Sequence, residues 1–372
     1  MKKRILALFL LIALAFSLTA CGGDAGSTDS SLNSDVSVQT GTEDGSSDTG
    51  EDVQLKGYDS SIEHKFIACD IRNHSVVVFD LDAVGGDPTR LEEDAAVVWE
   101  WDADDDPKVT LGIGPNYGID SAKYRYSEYY KKDVMIVCSS NGWVGIVDYE
   151  AKSLLWEYQL SSGPHSVEML PCGDLVVASS FDPGALYYFA ISAGIDAPVH
   201  SIPSLYCHGV SWDPENECLW VLEHYGAYQA VIQNMGTENA KLVRISGSGA
   251  SFVGDGGGHA FAPILGEPGK YWASAVKGLW KFDTETETMT KASALLTKGH
   301  VKGICSYSDG TVVEAVAGLC KNNTLEFGSD GLRVILKELK TGKVSSVRDA
   351  EYIVPFVSRE FYKIQPFTKD YQ

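Results

Sequence analysis

Four of the chain's eight histidines recur at one place in an internal repeat, and this repeat constrains the fold more than any other feature. They stand in Gly-Pro-His165-Ser-Val, Tyr-Cys-His208-Gly-Val, Gly-Gly-His259-Ala-Phe and Gly-His300-Val-Lys, at spacings of 43, 51 and 41 residues. Each follows a small or polar turn and opens a short strand-like run. That run passes through a Gly, Pro or Asp turn into a second, more hydrophobic strand. A period of this size with about four strands per unit is the signature of β-propeller blades. The expected fold class is all-β, a propeller in which the same position of every blade faces one central axis. A ring of imidazoles is predicted there.

Alternation and turn chemistry divide the chain into six units. The first has strands at Phe66 to Ile71, Ser75 to Leu81 and Val97 to Trp101, with no innermost strand ahead of them. The second runs from Ser121 through Val134 to Ser139, Trp143 to Tyr149 and Leu154 to Leu160. The next four open at His165, His208, His259 and His300, and the last of these ends in a strand at Val344 to Val347. Arg359 to Ile364 is then a strand without a blade, and the first blade lacks a strand of that kind. Joining the two ends closes a ring of six four-stranded blades and leaves no open sheet edge.

The N-terminus carries an address. Met1 to Arg4 is basic, Ile5 to Leu18 is apolar, and Leu18-Thr19-Ala20-Cys21 resembles the lipobox of a bacterial lipoprotein signal. The resemblance implies cleavage before Cys21, whose lipidated thiol (diacylglycerol, palmitate-type chains) anchors an extracytoplasmic protein to the bacterial cell membrane. The apolar run is shorter than the about 20 residues a membrane span needs. Residues 22 to 56 hold eight acidic residues and no basic one before Lys56, in a Gly/Ser/Thr background. Too little apolar surface is present to offset ordering entropy, so a disordered tether with a reach of roughly 30–35 Å is expected. The domains are thus 1–20 signal, 21–56 lipidated Cys and tether, and 57–372 propeller.

With 30 basic and 51 acidic residues, a formal charge of −21, the chain repels nucleic acid and anionic lipid surfaces. Cys21 is assigned to the anchor, which leaves cysteines at 69, 138, 172, 207, 218, 305 and 320. Cys69 and Cys138 lie in apolar strands and read as small buried hydrophobes. Cys207 and Cys218 flank a hairpin and are candidates for a bridge if their strands are in register. The chain contains no Cys-x-x-Cys pair, so a zinc knuckle is not expected. Asp102-Ala-Asp104-Asp105-Asp106 lacks the turn Gly and distant Glu of a calcium loop and reads as a solvated acidic turn. Gly254-Asp-Gly256-Gly257-Gly258 precedes His259 without a following helix, so it is no phosphate loop. Tyr124 to Lys132, between the first two strands of the second blade, reads as a long hairpin with aromatic flanks, with a sugar-stacking loop as the alternative. No Gly-x-Ser-x-Gly elbow is present.

Several strands rich in aliphatic and aromatic residues end in Asp, as in Val78-Phe79-Asp80 and Lys281-Phe282-Asp283. With Ile-Ala-Cys-Asp, Val-Val-Trp-Glu-Trp and Pro-His-Ser-Val-Glu-Met-Leu-Pro, the chain resembles quinoprotein-like and WD-repeat-like propellers. More closely it resembles an uncharacterised, domain-of-unknown-function family of secreted bacterial six-bladed propellers, over residues 63 to 367. The resemblance implies a fold and carries no established activity. The vicinal cysteines and eight-fold repeat of a quinone-cofactor dehydrogenase are missing, so that cofactor is not carried over.

Aligned blade starts place Asp120 or Ser121, His165, His208, His259, His300 and Arg359 at comparable positions. Converging imidazoles with a nearby carboxylate suit a borderline divalent metal such as Mn, Zn, Fe or Ni. Such a centre resembles that of propeller lyases that cleave acidic sugars, and Arg359 would then fork onto a substrate carboxylate. The alternative is structural, with each His holding neighbouring backbone. The functional expectation is a lipoprotein monomer that binds a small molecule, glycan or peptide at its axial mouth. Two rivals stay open: a metal-dependent polysaccharide lyase or hydrolase, and a cell-surface protein-interaction scaffold.

Overall fold

Residues 58–181, 184–292, 299–320, 328–338 and 348–371 are described by the computed structural model. They form six antiparallel sheets, each built around one sequence repeat. Blade 1 holds β1 (Lys65–Asp70), β2 (Ser75–Asp80) and β3 (Val97–Asp102). Blade 2 holds β4 (Ile119–Ser127), β5 (Lys132–Ser139), β6 (Trp143–Asp148) and β7 (Ser153–Gln159). Blade 3 holds β8 (Pro164–Met169), β9 (Leu175–Ser179), β10 (Ala185–Phe189) and β11 (Pro198–Pro203). Blade 4 holds β12 (Gly209–Asp213), β13 (Cys218–Glu223), β14 (Gly226–Gln233) and β15 (Lys241–Arg244), with the short β16 (Ala250–Ser251) also paired to β14. Blade 5 holds β17 (Phe261–Pro263), β18 (Lys270–Ala275), β19 (Gly278–Asp283) and β20 (Thr288–Lys291). Blade 6 holds β21 (Val301–Ser306), β22 (Val312–Val316), β23 (Gly331–Glu338) and β24 (Arg348–Pro355). The last strand, β25 (Phe361–Pro366), pairs antiparallel with β1 and completes blade 1. The C-terminal closure read from the sequence is therefore present. The outer strand expected at 344–347 falls outside the described residues, and the outer strand of blade 6 is β24.

The unbroken apolar runs of the middle strands follow from this stacking. A blade has a neighbour on each face, so both sides of a strand are covered and alternation disappears. In β2, Val77 and Phe79 enter the core shared with blade 6, while Val76 and Val78 enter the core shared with blade 2. Six hydrophobic clusters fill the six blade interfaces in this way. Outer strands keep alternation, with Trp99 and Trp101 buried in β3 and Val98 exposed. The terminal Asp of the strand pattern caps the following turn: Asp148 accepts from Ala151 N at 3.0 Å, and Asp213 accepts from Glu215 N at the same distance.

Two sequence expectations resolve differently. Tyr124 to Lys132 is the β4–β5 hairpin that its pattern implies, with Tyr124 buried in the core and Tyr126 and Tyr129 exposed. The Cys207–Cys218 bridge does not form, and every cysteine among the described residues is a free thiol. Cys218 opposes Asp213, while Gly209 opposes Leu222, so Cys207 and Cys218 sit at opposite ends of their hairpin.

Candidate ligand-binding site on the propeller axis

The inner strand of each blade breaks its ladder at one residue. In blade 2, Ile119 faces Ser139 and Ser121 faces Cys138, which leaves Asp120 as the extra residue of a β-bulge. The same two-against-one count isolates His165 in blade 3 and Lys302 in blade 6. In blade 1, Tyr362 and Lys363 together oppose Cys69. In blade 4 the His208 N–H donates to Leu222 O, the residue Gly209 already faces. In blade 5 the His259 N–H and Ala260 carbonyl both engage Ser274. A bulge re-aims a side chain out of the pleat. Here it turns one residue per blade toward the axis.

These six residues, Tyr362, Asp120, His165, His208, His259 and Lys302, wall a cavity of about 580 Å³. The imidazoles of His165 and His208 have centroids 4.5 Å apart, and those of His208 and His259 are 4.7 Å apart. His165 Nδ1 donates to Gly163 O at 2.9 Å, with Ser180 Oγ also close, and His208 Nδ1 donates to Tyr206 O at 2.8 Å. Those bonds place the proton on Nδ1 and leave each Nε2 as an acceptor. Tyr206 is left-handed (φ 46°), an uncommon state for a bulky residue, and it supplies the carbonyl that fixes His208. Lys302 Nζ of blade 6 lies 3.2 Å from His259 Nε2 of blade 5, and His259 Nδ1 is buried with no hydrogen-bond partner among the described residues.

Burial sets the charge states. It holds His165 down to about 3, with Lys363 and Lys302 adding to the effect, and keeps His208 and His259 well below the ordinary imidazole range. It lowers Lys302 to about 8 and raises Asp120 to about 7. Neutral imidazoles thus face the cavity at neutral pH. Below them the axis is filled. Lys363 donates to the carbonyls of both His165 and His208. Lys123 reaches Glu168 at 2.8 Å and Val210 O at 2.6 Å, and Arg125 clasps Glu168 at 2.8 and 3.1 Å. Burial works to raise the Glu168 carboxyl, but Arg125 and Lys123 outweigh it and hold it below its usual range.

Of the residues singled out from sequence, Asp120, His165, His208 and His259 meet in this cavity. Ser121 is buried beside Asp120 and is not part of the wall. His300 and Arg359 do not join them. His300 has a left-handed backbone (φ 62°), is exposed and lies just before β21, and the axial place of blade 6 goes to Lys302 at the bulge of that strand. Arg359 forks onto Glu100 at 2.7 and 2.9 Å and touches Asp70 at 3.3 Å, while the bulge of β25 brings Tyr362 to the axis instead. Among the described residues no group of three or more His, Cys, Asp or Glu side chains is placed to hold a metal ion. The acidic turn is tied into the fold, since Asp106 accepts from Trp101 Nε1 and Leu154 N, and Asp104 pairs with His74 at 3.0 Å.

Sequence reasoning missed Lys302, Tyr362 and the rim. Tyr117, Phe181 and Tyr206 line the cavity yet remain 40%, 49% and 43% exposed, an arrangement that offers aromatic faces to whatever enters. His74 pins the Tyr117 loop, its Nε2 lying 2.9 Å from Tyr117 O. Lys302 and Tyr362 owe their places to bulges that leave no sequence mark, and the rim residues come from three separate loops and leave no periodic trace.

Fold and site together define a closed six-bladed β-propeller with an axial pocket of largely apolar wall, a few convergent polar groups and an aromatic rim. Residues 89–331 match the "Family of unknown function (DUF6528)", and the chain belongs to that family. No curated protein matches it. Among solved structures it is similar to a protein of unknown function from Bacteroides caccae (10% identity, TM-score 0.48, 82% of this chain and 98% of that one). It is also similar to a functionally unknown protein from Desulfotomaculum acetoxidans (12% identity, TM-score 0.47, 80% and 83%).

Proposed function

We propose that the chain is a lipid-anchored, extracytoplasmic propeller that binds a small molecule, glycan or peptide in its axial pocket. The observation that carries this reading is the convergence of one re-aimed side chain from each blade on a cavity of about 580 Å³ with an exposed aromatic rim. That volume suits a ligand of one or two rings, and the mixture of apolar wall and few polar groups is that of a recognition site. Two imidazole acceptors, one imidazole donor and an amine match a ligand rich in hydroxyl or other small polar groups. The anchor rests on Leu18-Thr19-Ala20-Cys21 and the acidic tract after it.

The test is a binding screen of the full chain, purified from membranes in detergent, against glycan, peptide and metabolite libraries. Saturable binding to one class is expected, weakened at least tenfold by Tyr206→Ala or Phe181→Ala with the fold unchanged by circular dichroism. An empty screen rejects the reading, and a crosslinked protein partner indifferent to His165→Ala puts the scaffold reading in its place. Metal content after loading with Mn, Zn, Fe or Ni is measured on the same sample. Near-stoichiometric metal that is lost in the His165→Ala/His208→Ala variant would bring lyase or hydrolase chemistry forward. Mass spectrometry of Cys21, with release of Cys21→Ser from membranes, tests the anchor.

A further inference from the structure

Building on the ligand-binding reading, we infer that the ligand carries a carboxylate on a ring-shaped body and that Lys302 is its counter-ion. Lys302 is 5% exposed and lines the pocket, and its polar contact is His259 Nε2 at 3.2 Å. The Tyr362 ring lies 5.6 Å away. Among the described residues no carboxylate pairs with it, and several acids of blades 1 to 3 have other partners. Asp120 accepts from Ser140 N, Glu168 is held by Lys123 and Arg125, and Asp70 and Glu100 are held by Arg359.

A buried ammonium without an anion is costly, and natural channels satisfy it. The other two lysines of this channel obey that rule, Lys123 on Glu168 and Val210 O, Lys363 on the carbonyls of His165 and His208. Among the described residues, Lys302 alone of the three faces the cavity with its charge unmet by any acid or carbonyl. The field on the neighbouring imidazoles is positive too, since Lys302 and Lys363 both work to lower His259 and His165, and among the described residues Asp120 is the one acid in the pocket wall. A site of this sign in a chain of formal charge −21 is selective and is not a general property of the surface.

The ligand's charge and shape follow. One cation matches the single charge of a carboxylate better than the double charge of a phosphate monoester. The neighbouring His259 Nδ1–H is a second buried donor awaiting an acceptor. Tyr117, Phe181 and Tyr206 at the mouth offer faces to a flat or pyranose ring, which places the ring outward and the carboxylate inward.

Matched acid and amide pairs test this on the full chain: D-glucuronate with D-glucuronamide, and 4-hydroxybenzoate with 4-hydroxybenzamide, by calorimetry at pH 7 and low salt. At least one acid should bind tenfold or more tightly than its amide, and Lys302→Met should erase the difference. The ligand-free Lys302→Met protein should also melt at a higher temperature, since an unpaired buried charge has been removed. Equal binding of acid and amide, or a preference that survives in Lys302→Met, overturns the carboxylate assignment and leaves the ligand-binding reading standing. A lowered melting temperature overturns it as well, by showing that Lys302 is already satisfied. If none of the four probes binds, the carboxylate assignment falls, and the library screen alone decides the wider reading.

Discussion

His259 Nε2 accepts from Lys302 Nζ at 3.2 Å across the boundary between blades 5 and 6, and this contact fixes the proton of His259 on the opposite nitrogen. Both residues stand at a bulge of their inner strand, so backbone irregularity, repeated blade by blade, decides which atoms the pocket presents. The cavity is thus a product of six local departures from regular pairing. A cluster of neutral bases results, with one amine and one carboxyl among them.

The three axial imidazoles make the protein acid-sensitive. His165, His208 and His259 are held neutral in the folded state, chiefly by burial, whereas in the unfolded chain each takes up a proton below about pH 6.5. A depressed folded pKa of a base means that stability is lost as pH falls through the unfolded value. Each group contributes about 1.4 kcal/mol per pH unit in that window. Urea denaturation of the His165→Gln/His208→Gln variant between pH 7 and 4.5 should show a pH slope smaller by about two protons than the parent's.

Asp120 works in the opposite sense. Burial raises its folded pKa to about 7, so the folded state holds a proton that the unfolded chain has released. Stability is therefore lost as pH rises from about 4 through 7, by an amount of at most about 4 kcal/mol, and the loss is complete above that range. Asp120→Asn keeps an acceptor for Ser140 N and removes the titration. Its stability relative to the parent should increase from pH 4 to pH 8, with little further change beyond.

Blade number, ring closure and the inner-strand starts were legible because apolar runs, turn residues and period carry them directly. The strand at Arg359 to Ile364 and the missing inner strand of blade 1 point to each other in the sequence alone. Site residues were legible only where the repeat kept its offset. His165, His208 and His259 sit at or just before the bulge of their strand, so aligning them aligned the axis. In blade 6 the bulge falls two residues later and selects Lys302 over His300, and in β25 it selects Tyr362 and Lys363 over Arg359. A bulge has no residue signature of its own in these strands, so a shift of two or three positions cannot be read from composition. The Cys207–Cys218 expectation failed for a related reason: flanking a hairpin says nothing about which ends meet.

Ring closure should dominate stability. Phe361 is fully buried and packs edge-on to Phe79 and Phe356 at centroid distances of 5.8 and 5.0 Å. Phe361→Ala should cost about 3–5 kcal/mol. Gly303 brings blade 6 against the closing strand, where a Cβ would lie 2.0 Å from Ile364 N, so Gly303→Ala should destabilise by about 1–3 kcal/mol or more. Val357, 86% exposed on the segment leading into β25, is the control, and Val357→Ala should stay within about 0.5 kcal/mol in the same urea titrations.

Lys363 and Lys302 are both buried, both lowered to about 8 by burial, and come from adjacent blades, yet replacing them by Met should shift stability in opposite directions. Lys363 is 1% exposed and bridges the carbonyls of His165 and His208, so it ties blade 1 to blades 3 and 4 across the axis. Removing it leaves two buried acceptors unmet, at a cost of about 1–3 kcal/mol each. Lys302 has no such acceptor among the described residues, and its loss relieves an unpaired charge at the expense of the bond to His259 Nε2. Thermal melts of the two variants at pH 7 should therefore bracket the parent, Lys363→Met below and Lys302→Met above. Since both folded pKa values lie below that of an unfolded lysine, the parent should also gain stability as pH rises from about 8 toward 10.5. Each Met variant should lose one proton's share of that gain, which separates the titration of the amines from their hydrogen bonds.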